Sequence, residues 1–310
     1  MAILVDRSTR LLCQGMTGWA GTYHTNRMMQ YGTNVVAGVT PGKGGKSHID
    51  VPVFNRVAEA VAATGANASA VFVPPDRAAG AMIEAIEAEI PLVVVVTERV
   101  PMLDMVRVRE ALQGSRTRLV GPNSQGVLAP EICQIGVMAT DRVQRGGIGV
   151  VSRSASLTSE IVNQLTTEGL GQSTTVGIGG DPIHGIGFID CLELFFADPQ
   201  TEAVVLIGEI GGQEEEDAAR WLAANGGKKP VVALVAGRCA PPQRRMGHAG
   251  ALTTAGRGDA DSKIAALQAA GVTIAPSAHL VGATMRQVLE GAARRHPAAA
   301  AVSGAALGLR

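Results

Sequence analysis

Short apolar runs alternate with segments of helical period along most of the chain. In the first half, strand-like runs lie at residues 11–14, 34–39, 68–73, 92–97 and 118–120, and helical patterns lie at 23–31, 55–63, 78–88 and 103–111. Runs without polar alternation, such as the four valines at 93–96, are typical of strands that are buried on both faces of a parallel sheet. The alternation predicts a doubly wound α/β domain.

A second α/β set follows a turn-rich stretch at 141–147. Its predicted strands are 148–152, 173–178, 203–207 and 230–235, and its predicted helices are 156–167, 188–196, 213–225, 262–270 and 280–293. We therefore expect two domains, at 1–145 and 146–295. The Ala/Gly-rich residues 296–310 are typical of a flexible tail.

Composition narrows the function classes. The 310 residues suffice for two cores; 46% are hydrophobic, 17% are charged and the formal net charge is zero, which gives no electrostatic basis for binding nucleic acid or a membrane surface. Aromatic residues, at 3%, are too few for base-stacking platforms. The sequence has no run of 18 apolar residues, so no membrane span is predicted. Four widely spaced cysteines and an early charge at Asp6 predict a cytoplasmic protein with reduced thiols, and no metal site is predicted.

A histidine on a glycine-flanked loop is the main candidate for chemistry. His248 lies between Gly247 and Gly250 and follows the basic pair of Arg244 and Arg245. Glycine permits positive φ angles and close approach, which predicts a displayed loop. A neutral imidazole can carry a group covalently. The alternative is a solvated loop histidine.

The first domain has the features of a phosphate site. Residues 15–21 form a glycine-rich turn between a strand and a helix, where backbone amides can hold a phosphate. No acidic residue lies between Asp6 and Asp50, so the carboxylate of an NAD site is missing, while Lys43 suits a ligand with several phosphates, such as coenzyme A or NADP. Thr40 occupies the position at which an ATP-binding P-loop needs glycine. The alternative is a set of tight turns with solvated lysines.

The second domain places polar residues at three predicted strand ends, in segments 152–156, 177–182 and 208–212. The carboxyl ends of parallel strands line the ligand crevice. Residues 154–156 begin a helix and can receive an anion, and Glu209 can orient an imidazole. Glu209 could instead be a solvated or capping residue, and Asp181, before Pro182, could only shape a turn.

Five sequence words resemble the α subunits of succinyl-CoA synthetase, in the family of NDP-forming acyl-CoA ligases, in order over residues 1–290. They are Gly-Val-Thr-Pro-Gly-Lys-Gly-Gly (38–45), Val-Gly-Ile-Gly-Gly-Asp-Pro-Ile (176–183), Asp-Pro-Gln-Thr-Glu-Ala (198–203), Ile-Gly-Glu-Ile-Gly-Gly (207–212) and Arg-Met-Gly-His-Ala-Gly-Ala (245–251). The resemblance implies a Rossmann-like CoA-binding domain followed by a flavodoxin-like domain that carries a phosphohistidine.

The resemblance also implies residue roles and a partner. His248 matches the phosphorylated histidine and Glu209 the carboxylate that orients it. The expected contacts with coenzyme A are Thr17, Gly18, Trp19, Ala20, Lys43, Val96, Thr97 and Glu98. A separate β subunit with an ATP-grasp fold would bind ATP or GTP with Mg²⁺, in an αβ or α2β2 assembly.

The chain departs from the family where the organic acid is expected. Ser124-Gln125 replaces a usual Cys-Pro pair, Ala155-Ser156 replaces Gly-Thr, and Ser159 replaces a tyrosine. Such changes alter which acid is accepted, and we expect succinate or a related short acid: malate, citrate or sulfoacetate. The residues expected around acid and phosphate are Asn123, Ser124, Gln125, Ser154, Ala155, Ser156, Ser159 and Arg245.

Two rival functions use the same features. A non-catalytic regulator that binds coenzyme A or a dinucleotide would bind without being phosphorylated. An NADP oxidoreductase is disfavoured because no set of residues suggests a hydride-transfer site.

Overall fold

The computed structural model of the protein describes residues 2–225, 229–241, 243–253 and 258–295. The predicted tail at 296–310 lies outside the described residues. The strands are β1 (Leu11–Gln14), β2 (Val35–Val39), β3 (Ser47–His48), β4 (Val51–Phe54), β5 (Ala68–Val71), β6 (Leu92–Val95), β7 (Arg118–Val120), β8 (Gly126–Ala129), β9 (Cys133–Gly136), β10 (Arg145–Ser152), β11 (Gln172–Gly177), β12 (Ala203–Glu209), β13 (Val231–Ala236) and β14 (Thr273–Ile274). The α-helices are α1 (Trp19–Tyr31), α2 (Val57–Thr64), α3 (Pro75–Glu87), α4 (Met102–Ala111), α5 (Ala155–Thr167), α6 (Phe188–Ala197), α7 (Glu214–Asn225), α8 (Ala260–Ala269) and α9 (Val281–Arg295).

The first sheet has the strand order β3-β4-β2-β1-β5-β6-β7. Its strands pair in parallel except for β3, which is antiparallel to β4. Without β3, this is the order 3-2-1-4-5-6 of a Rossmann fold. The predicted Rossmann-like fold is confirmed, and the buried valines of β6 lie in its parallel core as expected.

The second sheet has the order β14-β13-β12-β10-β11-β8-β9. The five strands from β10 to β14 are parallel in the order 2-1-3-4-5 of a flavodoxin-like sheet, and β8 and β9 add an antiparallel edge. The predicted flavodoxin-like fold is therefore also confirmed. The antiparallel pair precedes residue 145, so the second sheet takes strands from before the expected boundary, and that boundary stays a prediction.

Apolar side chains from both sheets meet in one cluster. It contains Val94 and Val120 of the first sheet together with Val127, Val176 and Phe188 of the second half. Two backbone hydrogen bonds join the halves at the same place, from Ile186 N to Leu119 O (2.7 Å) and from Gly185 N to Gly121 O (2.9 Å). The two sheets therefore share a central core, and further clusters lie within each half.

Several local predictions differ from the structure. The stretch at 141–147 was expected to be a turn, but β10 begins at Arg145, since its first residues bond to the backbone around Gln172. The short strands β3, β4, β8, β9 and β14 were not predicted. No helix in the described part of the chain is long and apolar enough to cross a membrane.

Each sheet has one point at which the strand order reverses. In the first sheet it lies between β1 and β5, and in the second between β10 and β12. Ligands of open α/β sheets bind at such points, outside the carboxyl ends of the strands. The fold therefore places one crevice beyond Gln14 and Val71, and another beyond Ser152 and Glu209.

Candidate active site

The first crevice is a cleft of about 700 Å³. Thr17, Gly18 and Lys43 line it, as predicted, and Lys43 Nζ donates to Thr17 Oγ1 at 2.9 Å. The N-cap residue of α1 is Gly18, which has no side chain to cap the helix, so the first amides of α1 are open to an anion. A cationic side chain and a helix N-terminus thus converge on one cleft, which fits a phosphorylated ligand.

Close packing explains the glycines of the first turn. A Cβ at Gly21 would lie 2.1 Å from the carbonyl oxygen of Gly15, which itself has a φ of +79°. Only glycine lets α1 approach the turn this closely. The glycine pattern was therefore a correct signal for a tight strand-to-helix turn.

The other residues expected around coenzyme A are not among those that line the cleft, and they lie on two segments next to lining residues. Trp19 and Ala20 begin α1, and Trp19 is 83% exposed and stacks on Tyr23. The segment from Val96 to Glu98 follows β6, and Thr97 Oγ1 donates to the carbonyl of Val73, a cleft residue, at 2.7 Å. Thr17, Gly18 and Lys43 thus line the cleft, the other expected residues lie on two segments next to it, and the contacts of all eight with a ligand stay a prediction.

The second crevice contains the predicted acid–imidazole pair. Glu209 is the last residue of β12 and is 8% exposed, and its carboxylate oxygens lie 2.7 and 2.9 Å from Nδ1 of His248. A carboxylate accepts, so Nδ1 donates and the ring is fixed as the tautomer with a lone pair on Nε2. Among the described residues no hydrogen bond reaches Nε2. The arrangement suits a nucleophilic imidazole.

The hydrogen bond from His248 to Glu209 raises the pKa of the imidazole above 6.5, while partial burial and Arg153 oppose this effect and Asp181 adds to it. The ring lies directly on the backbone of Gly180, where a Cβ would be 2.5 Å from His248 Cγ. Gly247, beside the histidine, has a φ of +75°, as its flanking position suggested. The residues that set the position and the protonation of the ring therefore lie on three separate segments, which contain Glu209, Gly180 and Gly247.

Arg153 is a central residue that sequence reasoning missed. Its side chain is 7% exposed; Nε lies 3.3 Å from Glu209 Oε1, an ion pair without the alignment of a hydrogen bond, and Nη1 donates to Glu214 Oε2 at 3.1 Å. Nη2 donates to the carbonyl of Asp181 at 3.3 Å. The available signal was its place at the carboxyl end of β10, beside the reversal point of the sheet.

A buried ion pair fixes the backbone of Glu209. Glu209 N donates to Glu215 Oε1 at 2.9 Å, and Lys263 Nζ donates to Glu209 O at 2.8 Å. Lys263 also pairs with Glu215 Oε2, and both side chains are fully buried. Sequence reasoning missed this pair as well, because lysine and an acidic run usually indicate solvent.

Asn123 links the two crevices. Its N donates to Thr97 O at 2.8 Å, its O accepts from Gly180 N at 3.2 Å, and its Nδ2 donates to Asp181 Oδ1 at 3.2 Å. Asp181, which could have been only a turn residue, is 6% exposed and faces the site; burial raises its pKa, against the lowering effect of Asn123 and His248. The segment that follows β6 beside the first cleft is thus joined to the segment on which His248 lies.

The remaining predicted residues do not all lie at this centre, because Ser156 and Ser159 line a separate pocket with Met138 and Arg142. Ser124 Oγ donates to Gly177 O at 2.5 Å, and the buried Gln125 packs against Gly177. Ser154 caps α5 by accepting from Leu157 N at 3.3 Å. Ala155, Ser156 and Ser159 are exposed on the first turns of α5, and Arg245 is exposed on the loop of His248. Their roles stay predictions, and the guanidinium found beside Glu209 is that of Arg153.

Two family descriptions match the chain. Residues 6–99 match the family described as "CoA binding domain", and residues 151–273 match the family described as "CoA-ligase". The first range holds most of the residues that line the cleft, and the second holds Arg153, Glu209 and His248.

Curated relatives give the same assignment, and solved structures share the fold. The succinate–CoA ligase [ADP-forming] subunit alpha of Staphylococcus aureus (strain Mu50) is 49% identical over 92% of this chain and 94% of the relative, and that of Staphylococcus epidermidis (strain ATCC 12228) is 50% identical over the same shares. An ATP citrate lyase of Methanothrix soehngenii, solved with citrate and coenzyme A, has the same fold with a TM-score of 0.84 at 24% identity over 94% of this chain. The chain spans about half of that lyase, 51% of its length. A dinucleotide forming acetyl-coenzyme A synthetase of Ca. Korarchaeum cryptofilum has a TM-score of 0.72 at 18% identity, over 89% of this chain and 60% of that one.

Proposed function

Since the chain belongs to the family of succinate–CoA ligase α subunits, we propose that it is the α subunit of an NDP-forming acid–CoA ligase that carries a phosphoryl group on His248. The observation that carries this proposal is the imidazole whose Nδ1 is held by Glu209 at 2.7 Å while no hydrogen bond from the described residues reaches Nε2. Such a ring is a ready nucleophile at one nitrogen only.

In the proposed first step, Nε2 of His248 attacks the γ-phosphorus of a nucleoside triphosphate and the nucleoside diphosphate leaves. Nδ1 keeps its proton, and Glu209 stabilises the positive charge that develops on the ring. In the second step, a carboxylate oxygen of the acid attacks the phosphorus, and the N–P electron pair returns to Nε2. Neutral His248 is restored and an acyl phosphate is released beside Asn123.

Coenzyme A fits the cleft of the first sheet. Lys43 and the open amides of α1 supply charge and hydrogen bonds to its phosphates, and the cleft borders the Val96–Glu98 segment that bonds to Asn123. When bound there, its thiol would take the acyl group from the acyl phosphate, with loss of the thiol proton and departure of inorganic phosphate. The path from cleft to histidine then runs through Thr97, Asn123 and Gly180.

The nucleotide belongs to a partner in this proposal. Lys43 lines the cleft of the first sheet, and Thr40 replaces the glycine that a P-loop requires. A β subunit of ATP-grasp type would bind ATP or GTP with Mg²⁺, in an αβ or α2β2 assembly, and the loop of His248 would move between the two subunits. We expect the complex in the cytoplasm, where the four thiols stay reduced.

The acid is proposed to be succinate or a related short acid, with malate, citrate and sulfoacetate as candidates. Gln125 is buried, and its Nε2 has no hydrogen-bond partner in the described part of the chain. A buried donor without a partner costs free energy unless a ligand satisfies it, and a carboxylate or sulfonate would do so. Gln125→Met should therefore raise KM for the acid several-fold and leave KM for coenzyme A unchanged in steady-state assays.

The decisive experiment uses the chain co-purified with its β subunit. The complex is labelled with γ-³²P-ATP and then chased with coenzyme A and each acid of a panel. We expect acid-labile, base-stable label in the native chain, no label in His248→Asn, and discharge by one acid, which identifies the substrate. Coenzyme A bound without any label would refute the ligase and favour the regulator.

A further inference from the structure

A line of five titratable side chains runs from His248 to the buried ring of His184. His248 contacts Glu209, Glu209 pairs with Arg153 at 3.3 Å, Arg153 pairs with Glu214 at 3.1 Å, and Glu214 Oε1 lies 2.6 Å from His184 Nε2. His184 and Glu214 line another cleft, of about 460 Å³, which shares no lining residue with the cleft of the first sheet. The proposed reaction assigns no role to either residue.

Hydrogen-bond partners fix the charge of His184. Its Nδ1 lies 3.1 Å from the carbonyl oxygen of Ile186, which can only accept, and its Nε2 faces the carboxylate of Glu214. Both ring nitrogens therefore face acceptors, an arrangement that favours the protonated ring, in which each nitrogen donates. Burial would raise the pKa of Glu214, but the hydrogen bond and charge of His184, with Arg153 and Lys263, hold it below 4.5, so Glu214 is ionised. Charge alternates along the line.

We propose that Glu214 and His184 are positioning residues for the Glu209–His248 pair, because they hold and partly neutralise Arg153. This catalytic role rests on the proposed function, whereas the linkage among the charges does not. Arg153 is buried between two carboxylates and donates to Asp181 O as well, so its plane is fixed from three sides. Glu214 therefore neutralises part of the charge of Arg153, and the carboxylate of Glu209 stays available to the imidazole of His248.

The line predicts that removing the charge of Glu214 and removing the charge of His184 shift the protonation of His248 in opposite directions. Without the charge of Glu214, Arg153 acts on Glu209 and His248 as an unshared cation, so the imidazolium form of His248 is disfavoured. Without the charge of His184, Glu214 has one cation fewer and neutralises Arg153 more fully, so the imidazolium of His248 is favoured. General damage to the fold would not reverse sign between two neighbouring substitutions.

Other charged groups face the same residues and do not reproduce this pattern. Asp181 acts on His248 from the loop after β11, and Lys263 of α8 acts on Glu214. Arg109 of α4 donates to the carbonyl of His184 at 3.3 Å. All of these are unchanged in both variants, so they move neither titration by themselves.

The test is a histidine NMR titration of the full chain, labelled with ¹⁵N-histidine, with the His248 signals assigned from their loss in His248→Asn. Glu214→Gln should shift the midpoint of His248 to lower pH, and His184→Gln should shift it to higher pH. Asp217→Asn is the matched control, because Asp217 lies on α7 and lines the same cleft but is 44% exposed and pairs with Arg220. It should leave the midpoint unchanged.

Shifts of the same sign, or no shift beyond the control, would overturn the proposal, and either variant alone still tests it if the other does not fold. In the complex with the β subunit, Glu214→Gln should also slow discharge of labelled His248 by about three- to tenfold. Absence of label in the native complex would refute the proposed function, while opposite NMR shifts would still show the linkage.

Discussion

Replacing Gly180 by alanine would place a methyl group in the space that the ring of His248 occupies. The added Cβ would lie 2.5 Å from Cγ and Cδ2 and 2.6 Å from Cε1 of the ring. Carbon atoms in contact need about 3.5 Å, so the ring has to move by about 1 Å. Gly180 does not have a positive φ, so alanine adds no backbone strain, and the perturbation is confined to the imidazole.

A displacement of about 1 Å at a reacting atom costs on the order of 10²-fold in rate. We therefore expect Gly180→Ala to slow the discharge of phosphorylated His248 by about that factor. The assay is single-turnover chase of ³²P-labelled complex with coenzyme A and the acid. Coenzyme A affinity, measured by calorimetry, should be unchanged, because the cleft of the first sheet is not touched.

Gly250→Ala is the matched control for this prediction. Gly250 lies on the same loop, and its added Cβ would find Pro182 at 3.6 Å, which is ordinary contact. Its discharge rate should stay close to that of the native chain. Equal rates for Gly180→Ala and the native chain would refute the idea that the ring reacts from its position on Gly180.

The remaining predictions concern stability and thiol reactivity. Lys263→Met leaves the buried carboxylate of Glu215 unpaired and should lower the free energy of unfolding by about 3–5 kcal/mol in urea titrations. Glu209 raises the pKa of His248, so the interaction of the two residues stabilises the fold fully below pH 6.5 and loses this effect as the pH rises through the raised pKa. The loss of stability caused by Glu209→Gln should therefore become smaller as the pH rises from 6.5 through that pKa. Disulfide-exchange reagents at neutral pH should modify the exposed Cys239 in the folded chain and all four thiols after unfolding, because the other three are buried. Burial raises the pKa of Cys13 to about 12 and that of Cys133 to about 11, and it raises the pKa of Cys191 as well.

Sequence patterns located the site where local signals were strong. Glycine-rich segments at the ends of buried strands predicted both crevices, and parallel topology brings Glu209 and His248, which are 39 positions apart, to the same strand ends. Residues whose environment depends on tertiary packing were not predicted. Lys263 has the pattern of an exposed helix residue, yet it is buried because three acceptors surround it: Glu209 O, Gly211 O and Glu215.

Short edge strands escaped for a different reason. β8 and β9 have four residues each and carry glycine at positions 126 and 136, so neither length nor alternation distinguishes them from loop. In the fold the two glycines face each other so closely that a Cβ at either would clash with the opposite backbone. The pairing of the two strands, which the sequence pattern does not encode locally, creates that requirement.

The central cluster that both sheets share has a consequence for how the chain comes apart. Val94 and Val120 share this cluster with Val127, Val176 and Phe188, so separating the two halves exposes apolar surface on both of them. Loss of structure in one half is thus thermodynamically linked to loss in the other. We expect the whole chain to denature in a single cooperative transition, and a fragment cut from either side to remain a partly folded species.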